Sequence, residues 1–368
     1  MRIGIMLRCI DEKGGIAIYA RNIVEELLKI DQKNQYVLFF PSMTHFNRYN
    51  AFENVTPLLL ESKSKVLWDQ VYVPMAAKRE RVDVIFNPKF TLPLWGRPKA
   101  VMTVHGADWF LPEYKILYHP VDRLYMRFMM PMYIRRSSAI ISASDYSTQG
   151  FLTYLPMSKG KVKTIHYCAN RMFQPMSDQA LLQGIRQKHG LQDPFILTLI
   201  HYDTGRKNFA NMLQAFARAK KKGIAHKFVV GGREVQRYAE EQPLRELGVE
   251  GDVIFKGWIE QDDLPALYNA ADLYLYPTRL EGFPIPVCEA LACGCPIVTS
   301  KDGVFREAAE DAAIYVDPEN PDDIAKAICR VLKDDGLRQS MKGKGLARAK
   351  DLSWDNCASE TLALFNSL

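Results

Sequence analysis

The chain predicts two open α/β domains, each a doubly wound parallel sheet with helices on both faces, and three observations carry that reading. A length of 368 residues exceeds what one hydrophobic core usually holds. Short apolar runs alternate with helical patterns from end to end, the order that builds parallel sheets. The run Glu281-Gly-Phe-Pro-Ile-Pro-Val-Cys-Glu289 sets a Gly/Pro-rich turn between a strand and a helix, the kind of junction where open sheets bind ligands.

In chain order, the strand-like runs of the first half are 3–7, 36–40, 82–86, 100–104 and 139–143. Each is rich in β-branched, aliphatic or aromatic residues, which suit a pleated, buried surface. Gly14-Gly15 separates the first of them from a helix over 16–28. The second half offers strands at 195–200, 227–230, 253–255, 273–276 and 297–299. Arg206-Lys207-Asn208 opens a helix over 209–222, and a helix over 287–293 is closed by Gly294. Ser353 is a fitting N-cap for a last helix over 354–368. The division falls near 170–175, giving a first domain over 1–172 and a second over 173–353. The chain has no internal repeat and no low-complexity stretch.

With 48% apolar and 24% charged residues the composition is that of an ordinary globular protein. Seven cysteines form an odd set without a paired Cys-x-x-Cys pattern, which fits a reduced, cytoplasmic compartment. Cys293-Gly-Cys295 reads as small buried residues beside a helix end. Residues 1–9 carry Arg2 and Arg8 and read as a strand, not a secretory leader. No uncharged apolar run approaches bilayer length, so a soluble or peripheral protein is expected.

The net charge of +6 is unevenly spread: by count, 1–175 carry about ten excess positive charges and the remainder about four excess negative ones. The aromatic-basic stretch 114–136 sharpens this. It reads either as a face lying on anionic lipid at the inner membrane surface or as a buried helix with a solvated basic edge. Pro131 should break or kink any long helix there. No nucleic-acid motif accompanies the charge, so nucleic acid is not an expected partner.

The candidate chemistry lies in a few places. Carboxylates at each end of the 281–289 turn can accept hydrogen bonds from hydroxyls, and the unpaired first amides of a helix suit a polar ligand. Sugars are the hydroxyl-rich ligands such a turn would fit. Glu289 can equally be a first-turn charge balancing a helix dipole. Arg206 and Lys207 can grip a diphosphate or form a solvated helix start. Gly14-Gly15 lets backbone amides approach an anion or makes an ordinary turn, and it lacks the Gly-x-Gly-x-x-Gly spacing of a dinucleotide site. His105 ends the 100–104 strand, as a site residue or a satisfied structural one. A glycosidase would place its two carboxylates on opposite sides of the scissile bond, whereas these share one loop-helix unit. No Asp-x-Asp occurs, so a metal-bridged diphosphate has no obvious ligands.

Glu281-Gly-Phe-x-x-Pro-x-x-Glu289-Ala-Leu-Ala-Cys-Gly-Cys-Pro-Ile-Val resembles the signature of the retaining glycosyltransferases of family 4. Gly14-Gly15, Thr103-Val-His105, Arg206-Lys207-Asn208 and Ala270-Ala-Asp272 agree in order. The resemblance is strong from about 195 to 330 and patchier before, so it speaks more to the donor than to the acceptor. It implies the GT-B fold, two Rossmann-like domains facing a central cleft, with the last helix returning to the first domain. It implies a nucleotide sugar as donor, mannosyl being the weakly favoured group, and a glycan or lipid-linked acceptor in cell-surface polysaccharide synthesis. No cofactor or metal is implied. By resemblance Gly15 approaches the donor diphosphate, and His105 bonds a sugar hydroxyl. Lys207, with Arg206 beside it, holds the leaving diphosphate. Glu281 and the backbone around Phe283, Pro284 and Ile285 contact the sugar, and Glu289 the ribose. Retention implies front-face attack, the diphosphate oxygen accepting the proton. Two departures stand out: Pro284 where relatives often have glycine, and Ile200-His201 where many have glycine and arginine. Arg206 or a protonated His201 would then be the second cation. The alternatives are a phosphorylase or epimerase on the same scaffold, or a non-catalytic module that binds sugar nucleotide or membrane.

Overall fold

The computed structural model describes residues 1–12, 14–106, 108–110, 119–203 and 205–368. Its contacts divide the chain into two units, Met1–Tyr167 with Trp354–Leu368, and Cys168–Ser353. The division falls at 167/168, against 172/173 from the sequence pattern.

Unit 1 is built on β1 (Arg2–Met6), β2 (Gln35–Phe40), β3 (Val55–Leu59), β4 (Val84–Asn87), β5 (Lys99–Val104), β6 (Ala139–Ser142) and β7 (Val162–Thr164). All pair parallel, in the order β3-β2-β1-β4-β5-β6-β7. Central strands of such a sheet are covered on both faces, which is why β1, β2 and β5 read as unbroken apolar runs. The order reverses between β1 and β4, so a crevice opens beyond their carboxyl ends. The helix Gly15–Ile30 follows β1 after a short 3-10 turn, Arg8–Asp11. The last helix, Trp354–Asn366, packs in this unit, with Phe365 5.3 Å from Phe86 and Trp354 6.0 Å from Tyr19 between ring centres.

The helix Pro120–Arg136 runs unbroken through Pro131, contrary to the expected break. Proline removes one intrahelical bond, to the carbonyl of Arg127, but that residue is exposed and water can serve its carbonyl. Met126, Met130, Tyr133 and Ile134 on the inner face are buried in the core and hold the helix together across the gap. Residues 114–118 of the aromatic-basic stretch lie outside the described residues.

Unit 2 carries β8 (Phe195–Leu199), β9 (Lys227–Gly231), β10 (Val253–Gly257), β11 (Leu273–Tyr276), β12 (Ile297–Ser300) and β13 (Ala313–Val316). They pair parallel in the order β10-β9-β8-β11-β12-β13, reversing between β8 and β11. The helix after β11 spans Ile285–Cys293, starting earlier than 287 because Pro286 is tolerated in a first turn. Gly294 ends it in the left-handed region, φ 70°, flanked by buried Cys293 and Cys295. All seven cysteines are free thiols. Among the described residues no helix is long and apolar enough to cross a membrane.

Candidate active site

Beyond β8 and β11, residues 200–203 and 205–208 meet the loop 277–284, and Arg206, Lys207 and Glu281 come together there. Asp203 organises the first loop. Its Oδ1 accepts from the amides of Gly205 (2.9 Å), Arg206 (2.5 Å) and Lys207 (3.3 Å), an Asx turn that fixes both basic residues. Asn208 then adopts a left-handed φ of 59°, and its Nδ2 donates to the carbonyls of Pro277 (2.9 Å) and Pro318 (2.7 Å). Arg279 ties the loops from the other side: its amide donates to the Arg206 carbonyl at 2.9 Å, and its guanidinium bonds Gly205 O and Glu319.

The result is a compact charged cluster. Lys207 Nζ lies 2.6 Å from Glu281 Oε1 and 3.0 Å from the Tyr276 hydroxyl, which itself donates to Glu281 Oε1 at 2.9 Å. Arg206 Nη1 stands 3.6 Å from Glu281 Oε2. The side chains of Lys207 and Glu281 are only 6% and 11% exposed, so their attraction is little screened by water. Burial alone would raise the Glu281 carboxyl, but Lys207 and then Arg206 outweigh it and hold it below its ordinary value. Burial lowers the Lys207 ammonium, with Glu281 opposing the shift. Lys207 and Glu281 therefore form a largely buried ion pair, and breaking one half strands the other.

Glu289 sits in a different environment, on the helix Ile285–Cys293. It is 5% exposed, and its Oε2 accepts from the Tyr268 hydroxyl at 3.0 Å. Burial raises this carboxyl to about 8, the bond from Tyr268 offsetting only part of the effect. With the helix starting at Ile285, Glu289 falls in its second turn and not its first, and burial favours the neutral acid at pH 7 over a charge opposite the helix dipole. A carboxyl whose folded pKa is raised favours the folded state fully below pH 4.5, and that contribution is lost as pH rises to about 8. Glu289→Gln should flatten this decline and raise Tm near pH 8 by roughly 10 °C over wild type. Thermal melts across that pH range read it, and parallel curves for the two proteins would contradict the assignment.

The other sequence candidates are placed as follows. Phe283 and Ile285 are both 7% exposed, and the Ile285 amide donates to the Phe283 carbonyl at 3.0 Å. Pro284, at the N-cap position, has no amide hydrogen to offer. Burial, then Lys207 and Arg206, lower the pKa of His201 to about 4, which favours a neutral ring over the protonated one expected from the sequence. Arg206 is the cation beside Lys207.

In unit 1, Gly14 takes φ 123° and Gly15 starts the helix behind β1, whose first amides have no partner within the helix. His105 follows β5. Its Nε2 lies 2.8 Å from the Pro88 carbonyl, so that nitrogen carries the hydrogen, and its Nδ1 accepts from the Tyr167 hydroxyl at 2.8 Å. Burial lowers His105 to about 4, consistent with a neutral ring.

Sequence reasoning did not single out Tyr276, Tyr268, Asp203 or Arg279. Asp203 had a signal, an Asx residue shortly before glycine in a loop. The tyrosines are ordinary strand and helix residues until the tertiary fold shows where their hydroxyls end.

Two parallel sheets, each reversing order at its first strand, with a cation-carboxylate cluster at the second reversal, define the GT-B class of glycosyltransferase. The chain belongs to glycosyltransferase family 4: residues 13–170 match Glycosyltransferase Family 4 and residues 183–348 match Glycosyl transferases group 1. The O-antigen chain mannosyltransferase B of Escherichia coli is 28% identical over 95% of this chain and 90% of its own length. The serotype-specific mannosyltransferase WbdA of Escherichia coli is 28% identical over 63% of this chain, a match spanning 29% of that longer protein. The crystal structure of Anabaena HepE in complex with UDP and glucose shares the fold, with a TM-score of 0.79, 18% identity and full coverage of both chains.

Proposed function

We propose that the chain is a retaining mannosyltransferase that moves the sugar from a nucleoside diphosphate donor to a hydroxyl of a glycan or lipid-linked acceptor in cell-surface polysaccharide synthesis. The observation that carries the reading is the Lys207–Tyr276–Glu281 cluster at the β8/β11 reversal. A cation there meets the charge that develops on a departing diphosphate, and a carboxylate held ionised accepts from sugar hydroxyls. The near full-length likeness to an O-antigen mannosyltransferase supports mannose and the polysaccharide setting.

In this reading Lys207 and Arg206 hold the diphosphate, Glu281 and the Phe283–Pro284–Ile285 turn the sugar, and Glu289 the ribose. As a neutral acid Glu289 both donates to and accepts from a diol. Gly15 offers an amide to the diphosphate. His105 engages a sugar hydroxyl by exchanging its bond from Tyr167, while Pro88 keeps the ring in one tautomer. With two cations at the diphosphate, no metal is required. GDP-mannose turnover that persists in EDTA, with the new bond keeping the donor's anomeric configuration by NMR, is the expected result. Absence of turnover and of any thermal shift with every nucleoside diphosphate sugar would overturn the reading.

A further inference from the structure

We propose that the outer face of the helix Pro120–Arg136 docks on an anionic lipid surface. This helix is apolar on two sides. Met126, Met130, Tyr133 and Ile134 fill the core. On the opposite side Val121 is 65% exposed, Leu124 57%, Phe128 64% and Met132 43%. Spacings of three and four residues place these four on one stripe of the helix. A solvent-facing stripe of this kind is unusual for a soluble chain and marks a contact surface.

The charges beside the stripe select its occupant. Asp122 is the helix's one acid, whereas Arg123, Arg127, Arg135 and Arg136 are basic. Among the described residues the Arg123, Arg127 and Arg135 side chains have no acidic partner. Arg136 donates to the carbonyls of Gly96 (3.3 Å) and Pro98 (2.8 Å), which keeps the loop bearing Trp95, 47% exposed, beside the helix end. Apolar side chains at the centre, arginines at the flank and an exposed tryptophan are the chemistry of a lipid interface, where guanidinium groups reach headgroups while apolar groups enter the acyl boundary. Pairing with a second copy through this face would set arginine against arginine. A phosphate backbone would meet apolar side chains where it needs cations. The excess of positive charge over 1–175 adds long-range attraction to anionic lipid.

The test is flotation of the full chain with vesicles of phosphatidylcholine alone or mixed with phosphatidylglycerol. The chain should float with the mixed vesicles, not with pure phosphatidylcholine, and high salt should release it. Phe128→Ser with Met132→Ser should lower the partition coefficient about tenfold or more, as should Arg127→Glu with Arg135→Glu. Both double variants should keep the wild-type melting curve, because the changed side chains face away from the core. Flotation unaltered by either pair would overturn the proposal. So would sedimentation showing a dimer that the Phe128/Met132 pair disrupts without any vesicle uptake by wild type.

Discussion

Lys207→Ala is expected to lower kcat/KM for the donor by about 10²–10³-fold and to weaken unit 2 by ~3–5 kcal/mol. The two effects share one cause. Glu281 is buried and held ionised mainly by Lys207, 2.6 Å away, and only secondarily by Arg206 at 3.6 Å. Truncation leaves the carboxylate with the Tyr276 hydroxyl and the more distant guanidinium. The same truncation removes the buried cation proposed to meet the departing diphosphate. A pH signature accompanies it. Because Glu281 is depressed when folded, its stabilisation is complete above the ordinary 4.5 and fades as acid passes through the lower folded value. In Lys207→Ala the folded value rises back toward 4.5 or past it, so the stability lost in acid should shrink relative to wild type. Donor kinetics with urea melts at several pH values provide the measurement, and wild-type turnover from a folded variant would refute the role.

Gly232→Ala should prevent unit 2 from folding or destabilise it by more than about 4 kcal/mol. At φ 136° an added Cβ would lie 1.6 Å from the Ile200 carbonyl oxygen and 2.6 Å from its carbon. The obstacle is backbone, so no side-chain rotation relieves it. That backbone is fixed by its own bonds: the Ile200 amide donates to Gly231 O at 2.9 Å and the Tyr202 amide to Arg233 O at 2.9 Å. The segment so pinned leads directly into Asp203 and the two basic residues. Gly248→Ala is the control, since φ is 70° there but nothing lies within 4 Å of the added carbon. It should cost only about 1 kcal/mol. Soluble yield and urea midpoints separate the two, and equal midpoints would show that the Ile200 contact is not decisive.

How far the sequence carried this picture depended on burial. Strands covered on both faces, such as β1, β5, β8 and β11, announce themselves as apolar runs. β3 and β7 are edge strands interrupted by Pro57 and by Lys163, and β13 is an apolar but four-residue edge strand that is only partly covered, so none of the three stands out in the sequence. At the site, Lys207, Arg206 and Glu281 were legible as residue types at strand-to-helix junctions. Their mutual pairing through Tyr276 was not, because a hydroxyl at the end of a long ring is located by tertiary packing. The upward shift of Glu289 was hidden for the same reason: helix position suggested a charge, whereas burial raises the carboxyl and the bond from Tyr268 offsets only part of that. Pro131 shows a local rule overridden by packing, the buried inner face keeping a helix that proline alone would interrupt.

Under the proposed function, the bond between Lys207 and Glu281 stands where the donor binds, so any ligand must compete with it. A bare anion such as phosphate or pyrophosphate can recruit the ammonium only by leaving a largely buried carboxylate to Tyr276 and the more distant Arg206. A neutral sugar can satisfy the carboxylate only by competing with that ammonium. A molecule bearing both functions in one covalent frame replaces the two halves of the contact together, so discrimination against the fragments is written into the resting state.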